Sequence, residues 1–431
     1  MSKDMLVRFV GAEAAVALLE DRRLDEIALP RRDNANLLGN IYLGEVENVL
    51  PGMQAAFVNI GLEKNSFLYV EDAVAADGRR LTEEKTAPER ERSISDLVKK
   101  GQNVIVQIFK EPSGTKGARV TMQPSLPGRY LVLLPCGNYI AVSRRIENEE
   151  ERERLKELVR ADLPQNMGVI IRTVAEHADQ RLLSSELRSL LKTWRRIQGW
   201  AVKSSAPSLL HSDMDLLERT VRDTNPADVD RIVTSDEEAF EKVTEVVGAI
   251  APALQEKIVL EESSDLFLDY DVYAQIERAL QRKVWLKSGG YIIIDQMEAL
   301  TAIDVNTGKY VGERSLNDTV FKTNMEAVTE IARQLRLRNI GGIVIIDFID
   351  MDNAEDKNRL LAALEEEMKK DRVRITVMGI TQLGLVELTR KKIGHDLSSA
   401  LEAECRSCGG KGRISQISQV FHLENKTENK A

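Results

Sequence analysis

Residues 342–350, GIVIIDFID, form an almost unbroken β-branched run, the pattern expected of a strand covered on both faces. Its flanks set the fold class. Upstream, TVFKTNMEAVTEIARQLRLR (319–338) has the spacing of a long helix that stops at Gly341-Gly342. Downstream, AEDKNRLLAALEEEMKKD reads as a second helix, with Asp352 and Asn353 available as N-caps, and RITVMGIT as another strand. Earlier, GGYIIIDQ and ALTAIDVN lie close enough to pair as a hairpin. From residue 282 the chain is therefore expected to be α/β.

The N-terminal half has a different rhythm. Residues 1–38 read as two short strands and a turn. Residues 39–122 carry short alternating runs broken by Gly44, Pro51-Gly52 and Gly61, a spacing typical of a small barrel. The charged stretch 75–96 is expected to be a long surface loop, after which QNVIVQIFKE supplies a closing strand. Five short strands with one long loop suit an OB-fold, a fold that binds single-stranded nucleic acid. Residues 123–218 mix strands (YLVLLP, NYIAVS, GVIIRTV) with two helices. One is the highly charged IENEEERERLKELVR from Ile146. The other places Leu183, Leu187, Leu190, Leu191 and Trp194 at helical spacing. That second helix also carries Arg181, Arg188, Lys192, Arg195, Arg196 and Lys203 against a single acid, Glu186. A solvated face or a phosphate-backbone contact would both account for them.

Charge and cysteine content bound the function classes. With 60 Lys and Arg against 69 Asp and Glu, the net charge is −9, so any polyanion-binding track must be local. Three cysteines do not make a secreted disulfide framework. The first residues break their apolar run at Asp4 and Arg8, and no run of about 18 apolar residues follows. A soluble, cytoplasmic protein without a membrane span is expected.

Three constellations could carry chemistry. Asp304 and Asn306 alternate along a strand and so share a face. Asp347 lies within the apolar run Ile343–Phe348, where a buried carboxylate is costly unless its charge is compensated. Ligands of open α/β sheets gather at the carboxyl ends of strands, where both acids sit. Two carboxylates and an amide suit Mg²⁺, an ion completed by waters and substrate phosphates and able to stabilise charge on a phosphodiester. The plainer alternative has the acids capping turns or pairing with Arg336, Arg338 or Lys309. Asp350 would face the other way in a continuing strand and ranks second.

In the second constellation, Cys405 and Cys408 form a C-x-x-C followed by GGKG, which provides two of the four ligands zinc wants. His395 and His422 stand at unusual distances for a finger. Two chains could each donate a pair, or the pair could be reduced and unliganded. The third comprises Phe57, Phe67 and Lys116 in the barrel; the rings are either core residues or a stacking platform, and Lys116 sits in the Gly-flanked SGTKGARV.

QAAFVNIG, ALTAIDVN, EIARQLRLRNIGGIVIIDFIDM and CRSCGGKG, in that order, resemble the ribonuclease E/G family over nearly the whole chain, and the expected lack of a long disordered scaffold region makes the chain look more like its ribonuclease G branch than its ribonuclease E branch. The resemblance implies a multi-subdomain α/β fold. An RNase H-like subdomain would combine 1–38 with 219–281, holding an inserted S1-type OB barrel (39–122) and a 5′-sensor (123–218). A DNase I-like subdomain (282–402), a zinc link (403–413) and a flexible tail (414–431) would follow. It implies a Mg²⁺-dependent endoribonuclease of rRNA processing and mRNA decay that cleaves single-stranded RNA to 5′-phosphate and 3′-hydroxyl ends. Asp304 and Asp347 would hold the ion, Asn306 would support the scissile phosphate, and Phe57, Phe67 and Lys116 would contact RNA. A pocket for a 5′-monophosphate would match Gly128, Val132, Arg172, Thr173 and Arg374, an arginine fork and a hydroxyl being apt for a phosphomonoester. The plain alternative for Arg172 is an ordinary surface ion pair. Cys405 and Cys408 would share a structural Zn²⁺ between two protomers. The small C-terminal domain that supports tetramers has no counterpart here, so a homodimer is expected, with no degradosome scaffold region. A non-catalytic RNA-binding module and a DNA-directed phosphodiesterase stay open as competing classes.

Overall fold

A computed structural model describes residues 2–11, 13–30, 37–73, 93–112, 116–308, 316–392, 394–403, 405–408, 410 and 412. The chain divides into two compact units, one of residues 1–2, 17–29 and 265–431, the other of residues 3–16 and 30–264.

Where two short strands are expected at the N-terminus there are three: β1 (Lys3–Val10), β2 (Glu13–Glu20) and β3 (Arg23–Ala28). The chain turns between them at positive-φ Gly11, Asp21 and Arg22, so reversals of two residues suffice. The chain passes from one unit to the other within β2.

In the unit of residues 3–16 and 30–264, five strands close a barrel consistent with an OB-fold. They are β4 (Ile41–Leu50), β5 (Ala55–Asn59), β6 (Ser66–Tyr69), β7 (Asn103–Lys110) and β8 (Arg119–Thr121), with a one-turn helix α1 (Ile94–Leu97) between β6 and β7. The order is β4-β5-β6-β8-β7, and β7 returns to pair antiparallel with β4. Val46, Ala56, Val58, Leu68, Val106 and Val120 fill its interior. A Cβ on Gly44 would stand 2.6 Å from the Val58 side chain, so the interior requires glycine there. Most of the stretch expected to form the long loop, residues 74–92, lies outside the described residues.

Next come β9 (Leu126–Pro127), β10 (Leu131–Leu134), β11 (Ile140–Val142), α2 (Glu149–Arg160), β12 (Gly168–Ile171) and α3 (Gln180–Lys203). The four strands form one sheet in the order β11-β12-β10-β9. Leu183, Leu187, Leu191 and Trp194 of α3 bury against it, as their spacing anticipates, and so do Leu155 and Val159 of the charged helix α2. The chain continues through β13 (Ser208–His211), which pairs with β4, then α4 (Leu216–Asp223), β14 (Arg231–Thr234), α5 (Glu237–Ile250) and β15 (Ile258–Leu260). β14 pairs parallel with both β1 and β15.

The other unit adds α6 (Leu266–Asp269), α7 (Val272–Leu280), β16 (Lys283–Trp285), β17 (Tyr291–Gln296), β18 (Leu300–Asn306), α8 (Leu316–Leu337), β19 (Gly342–Asp347), α9 (Ala354–Lys369), β20 (Ile375–Ile380), β21 (Val386–Arg390) and α10 (Leu397–Leu401). The sheet order is β16-β17-β18-β19-β21-β20. The expected hairpin is β17–β18, and β18 runs parallel to β19 across α8. β21 (VELTR) has no counterpart in the sequence expectation. It is anchored by Arg390, which donates to Asp371 at 2.8 Å in full burial. Asn353 is the N-cap of α9, accepting from the Glu355 amide at 2.9 Å.

One face of this sheet is covered. Ile292, Ile294, Ile303, Val305, Val344 and Ile346 pack on Ile331 and Leu335 of α8 and on Leu360 and Leu364 of α9. Among the described residues the opposite face is left open, which corrects the expectation for residues 342–350: Ile343 is 49% exposed and Ile345 is only partly buried.

Candidate active site

The open face of the sheet brings the acids together. Asp304 and Asp347 are direct register partners on β18 and β19, and partners of adjacent strands project to the same side. Both are exposed. The expectation of a buried Asp347 is therefore wrong: alternation along β19 sends Val344 and Ile346 into the core and Ile343, Ile345 and Asp347 outward. Asn306 joins them, its Nδ2 donating to Asp304 Oδ2 at 2.8 Å.

Partial burial and the charges of Asp304 and Asp350 push the Asp347 carboxyl above its ordinary range. Asp350 thus belongs to the same acidic field. Strand β19 ends at Asp347, so alternation no longer governs residue 350. The chain leaving the strand is held by buried Asn324 of α8. Its Nδ2 donates to the Ile349 carbonyl at 2.8 Å, and its Oδ1 accepts from the Ile349 amide at 3.1 Å. Sequence reading missed Asn324, which sits within the periodicity of its helix without signalling a partner 25 residues away.

The alternative partners are engaged elsewhere. Arg336 forms a bidentate pair with Asp25, and Arg338 donates to Gln334 and to the Gln281 carbonyl; Lys309 lies outside the described residues. Among the described residues no group of three or more His, Cys, Asp or Glu could hold a metal. The arrangement is a two-carboxylate, one-amide site, which suits an ion that retains several waters.

Residues 128, 132, 172 and 173 also converge, around β10 and β12. Arg172 Nη1 donates to the Gly128 carbonyl at 2.7 Å and Nη2 to Asp223 at 2.6 Å. Thr173 and Ser143 hydroxyls are 2.9 Å apart, and Val132 pairs with Ile170 in the sheet. Burial pushes Asp223 up, but hydrogen bonds and charge from Arg222 and Arg172 outweigh it and hold the carboxyl low. Glu186, the lone acid of α3, accepts from the amides of Arg129, Tyr130 and Leu131 at 2.6–2.8 Å. A Cβ on Gly128 would meet that carboxylate at 2.6 Å, so glycine permits its approach. Arg374 lies in the other unit, exposed, just before β20.

On the barrel, Phe57 and Phe67 are register partners of β5 and β6, with ring centroids 6.0 Å apart in an edge-to-face pair. Neither belongs to the barrel interior, and both are half-buried. Lys116 is exposed on the segment leading into β8. On α3 the six cations are all exposed. At 100° per residue they fall within about a 100° arc opposite the leucine face, along about 33 Å of helix. Cys405 is exposed, its thiol held low by hydrogen bonds from the Cys408 and Ser407 backbone, and the Gly412 amide donates to Cys408 Sγ at 3.3 Å. His422 lies outside the described residues.

Among the described residues no helix is long and apolar enough to cross a membrane. Comparison with known proteins gives consistent results. The Ribonuclease E/G family pattern matches residues 125–393. The chain is 42% identical to ribonuclease G of Escherichia coli K12 over 423 residues, covering 98% of this chain and 86% of that protein. Ribonuclease G of Haemophilus influenzae is 42% identical over 97% of this chain and 85% of its own length. Ribonuclease E of Synechocystis is 42% identical over 88% of this chain and 56% of its own length. With the acids paired on adjacent strands and the similarity running almost end to end, the chain belongs to the ribonuclease E/G family.

Proposed function

We propose that this family member, an endoribonuclease, cleaves single-stranded RNA in a Mg²⁺-dependent hydrolysis, leaving 5′-phosphate and 3′-hydroxyl ends, in cytoplasmic rRNA processing and mRNA decay. The observation that carries the chemistry is the register pairing of Asp304 with Asp347 on an open sheet face, with Asn306 hydrogen-bonded to Asp304. The donor set fits the ion: partial burial, with the neighbouring charges of Asp304 and Asp350, raises Asp347, and a divalent cation would offset both the burial and the repulsion. Mg²⁺, when bound, would supply charge stabilisation on the phosphodiester and a water of lowered pKa. Asp304 and Asp347 would hold it, Asn306 fixes the Asp304 rotamer and offers an amide to the phosphate, and Asn324 fixes the exit of β19.

The barrel pair Phe57–Phe67 and Lys116 would hold RNA by stacking and charge. The cationic face of α3, with no ion pair among the described residues, would run along the phosphate backbone. Arg172, Thr173, Gly128 and Val132 would sense a 5′-monophosphate; Arg374, the fifth residue that the resemblance names for this role, belongs to the other unit. We assign the subdomains as RNase H-like (1–38 with 219–281), S1-type OB (39–122), 5′-sensor (123–218), DNase I-like (282–402), zinc link (403–413) and tail (414–431).

Cys405 and Cys408 would share Zn²⁺ with the same pair of a second chain, making a homodimer; an exposed, low-pKa thiol beside a second thiol suits this. Metal content near half an ion per chain, with dissociation of Cys405→Ser, is the expected result. One ion per chain in a stable monomer would overturn it.

The deciding experiment incubates labelled single-stranded RNA with Mg²⁺ or with EDTA, beside a DNA of the same sequence. Mg²⁺-dependent cutting of RNA alone is expected. RNA retarded but intact under both conditions would make the chain a binding module, and equal cutting of DNA would make it a general phosphodiesterase.

A further inference from the structure

The open sheet face extends past the acids. Tyr291 of β17 is the register partner of Asn306, and Trp285 of β16 is the register partner of Tyr291. Trp285, Tyr291 and Asn306 therefore form one row on the same side of the sheet. The neighbouring row, two residues along each strand, is Lys283, Ile293, Asp304 and Asp347. At the 4.5–5.5 Å spacing of antiparallel partners, Trp285 stands about 10 Å from Asn306.

The side chains are arranged as a unit. The Trp285 and Tyr291 rings meet edge to face, with centroids 5.5 Å apart at 68°. Lys283 Nζ sits 3.8 Å from the Trp285 centroid and 3.6 Å from that of Tyr291. Trp285 is nonetheless 61% exposed. An indole left that open costs hydrophobic free energy, and its edge contact with Tyr291 and its cation–π contact with Lys283 fix its angle without covering it. None of the three supports the core, which lies on the opposite face.

We propose that Trp285 and Tyr291, held by Lys283, form a nucleobase-stacking subsite for a nucleotide flanking the scissile phosphate. The site accepts any base through its π-face, and Lys283 adds positive charge for the strand's phosphate. The inference rests on the reading that single-stranded RNA crosses Asp304 and Asp347. It adds a binding subsite on the catalytic sheet itself.

The test scans single abasic positions through a 5′-phosphorylated RNA oligomer cut at one site by the full chain with Mg²⁺. In the parent, an abasic nucleotide at one flanking position should raise KM about tenfold. Trp285→Ala should raise KM similarly on intact RNA and lose that position's abasic penalty, while Trp285→Phe restores it. An abasic profile unchanged by Trp285→Ala overturns the subsite, because a merely structural residue would leave the profile in place. Emission of Trp285, read with EDTA in a Trp200→Phe background where the remaining Trp194 is buried, separates the two readings. Quenching by an RNA that the parent never cuts would keep the subsite and overturn the nuclease reading. Cleavage with neither quenching nor a Trp285-dependent profile would do the reverse.

Discussion

The Asp223 carboxylate lies 2.6 Å from the Arg172 guanidinium, whose other arm donates to the Gly128 carbonyl at 2.7 Å. The ion pair is real, but its side chains are 24% and 33% exposed, so the fork remains reachable from solvent. Asp223 then acts as the clamp that orients Arg172. Arg172→Ala should erase the preference for 5′-monophosphorylated over 5′-hydroxyl oligomers and leave internal cleavage intact. Asp223→Ala should weaken the same preference several-fold. Competition between the two oligomers measures it, and an undiminished preference in Arg172→Ala would reject the assignment.

Asp304→Asn and Asp347→Asn should each abolish cleavage while RNA retardation persists, because each removes half the charge that would hold the ion. Asn306→Ala should cost about 10- to 100-fold in activity, the usual effect of losing a group that orients a ligand. Raising Mg²⁺ should recover part of the Asn306→Ala loss and none of the Asp304→Asn loss. Full activity in either aspartate variant would sink the site.

How far these sites could be read in advance differs for physical reasons. The hairpin, the flanking helices and the Asp304–Asn306 pair follow from periods of 2 and 3.6, which the sequence displays directly. The open face does not. Ile343 and Ile345 are as β-branched as Val344 and Ile346, and composition alone cannot say which side a helix will cover. β21 escaped because VELTR is five residues with Glu387 and Thr389 on the outward side. The Arg172 clamp spans 51 residues and Glu186 closes on backbone 55 residues away, distances that only the folded chain reveals. Glu186 in particular looks like a counter-charge for the α3 cations, yet it is spent on three amides.

That leaves the α3 stripe without an ion pair among the described residues, in a chain of net charge −9. Replacing Arg188, Lys192 and Arg195 together by Gln should weaken RNA binding at low salt and lower the slope of log K against log[salt] by about 2. Helix packing should be untouched, since all three are exposed. Titrations at several salt concentrations read the slope directly. An unchanged slope would return this face to plain solvation.

Glu151 offers a pH test independent of RNA. Its carboxyl is held down at about 2, first by hydrogen bonds from Arg154 at 2.6 and 2.7 Å, with burial opposing and the His177 amide at 2.8 Å assisting. A depressed folded pKa contributes stability that is fully present above the ordinary value of 4.5 and lost as pH falls through about 2. Glu151→Gln should therefore cost about 1 kcal/mol at pH 7, where the parent's carboxylate accepts from both partners. The gap between parent and variant should close between about pH 4.5 and 2, as the parent takes up the proton and loses the advantage that Gln never had. Denaturant melts across that window measure it. A gap that stays constant down to pH 2 would place the stabilisation in packing and not in the charge.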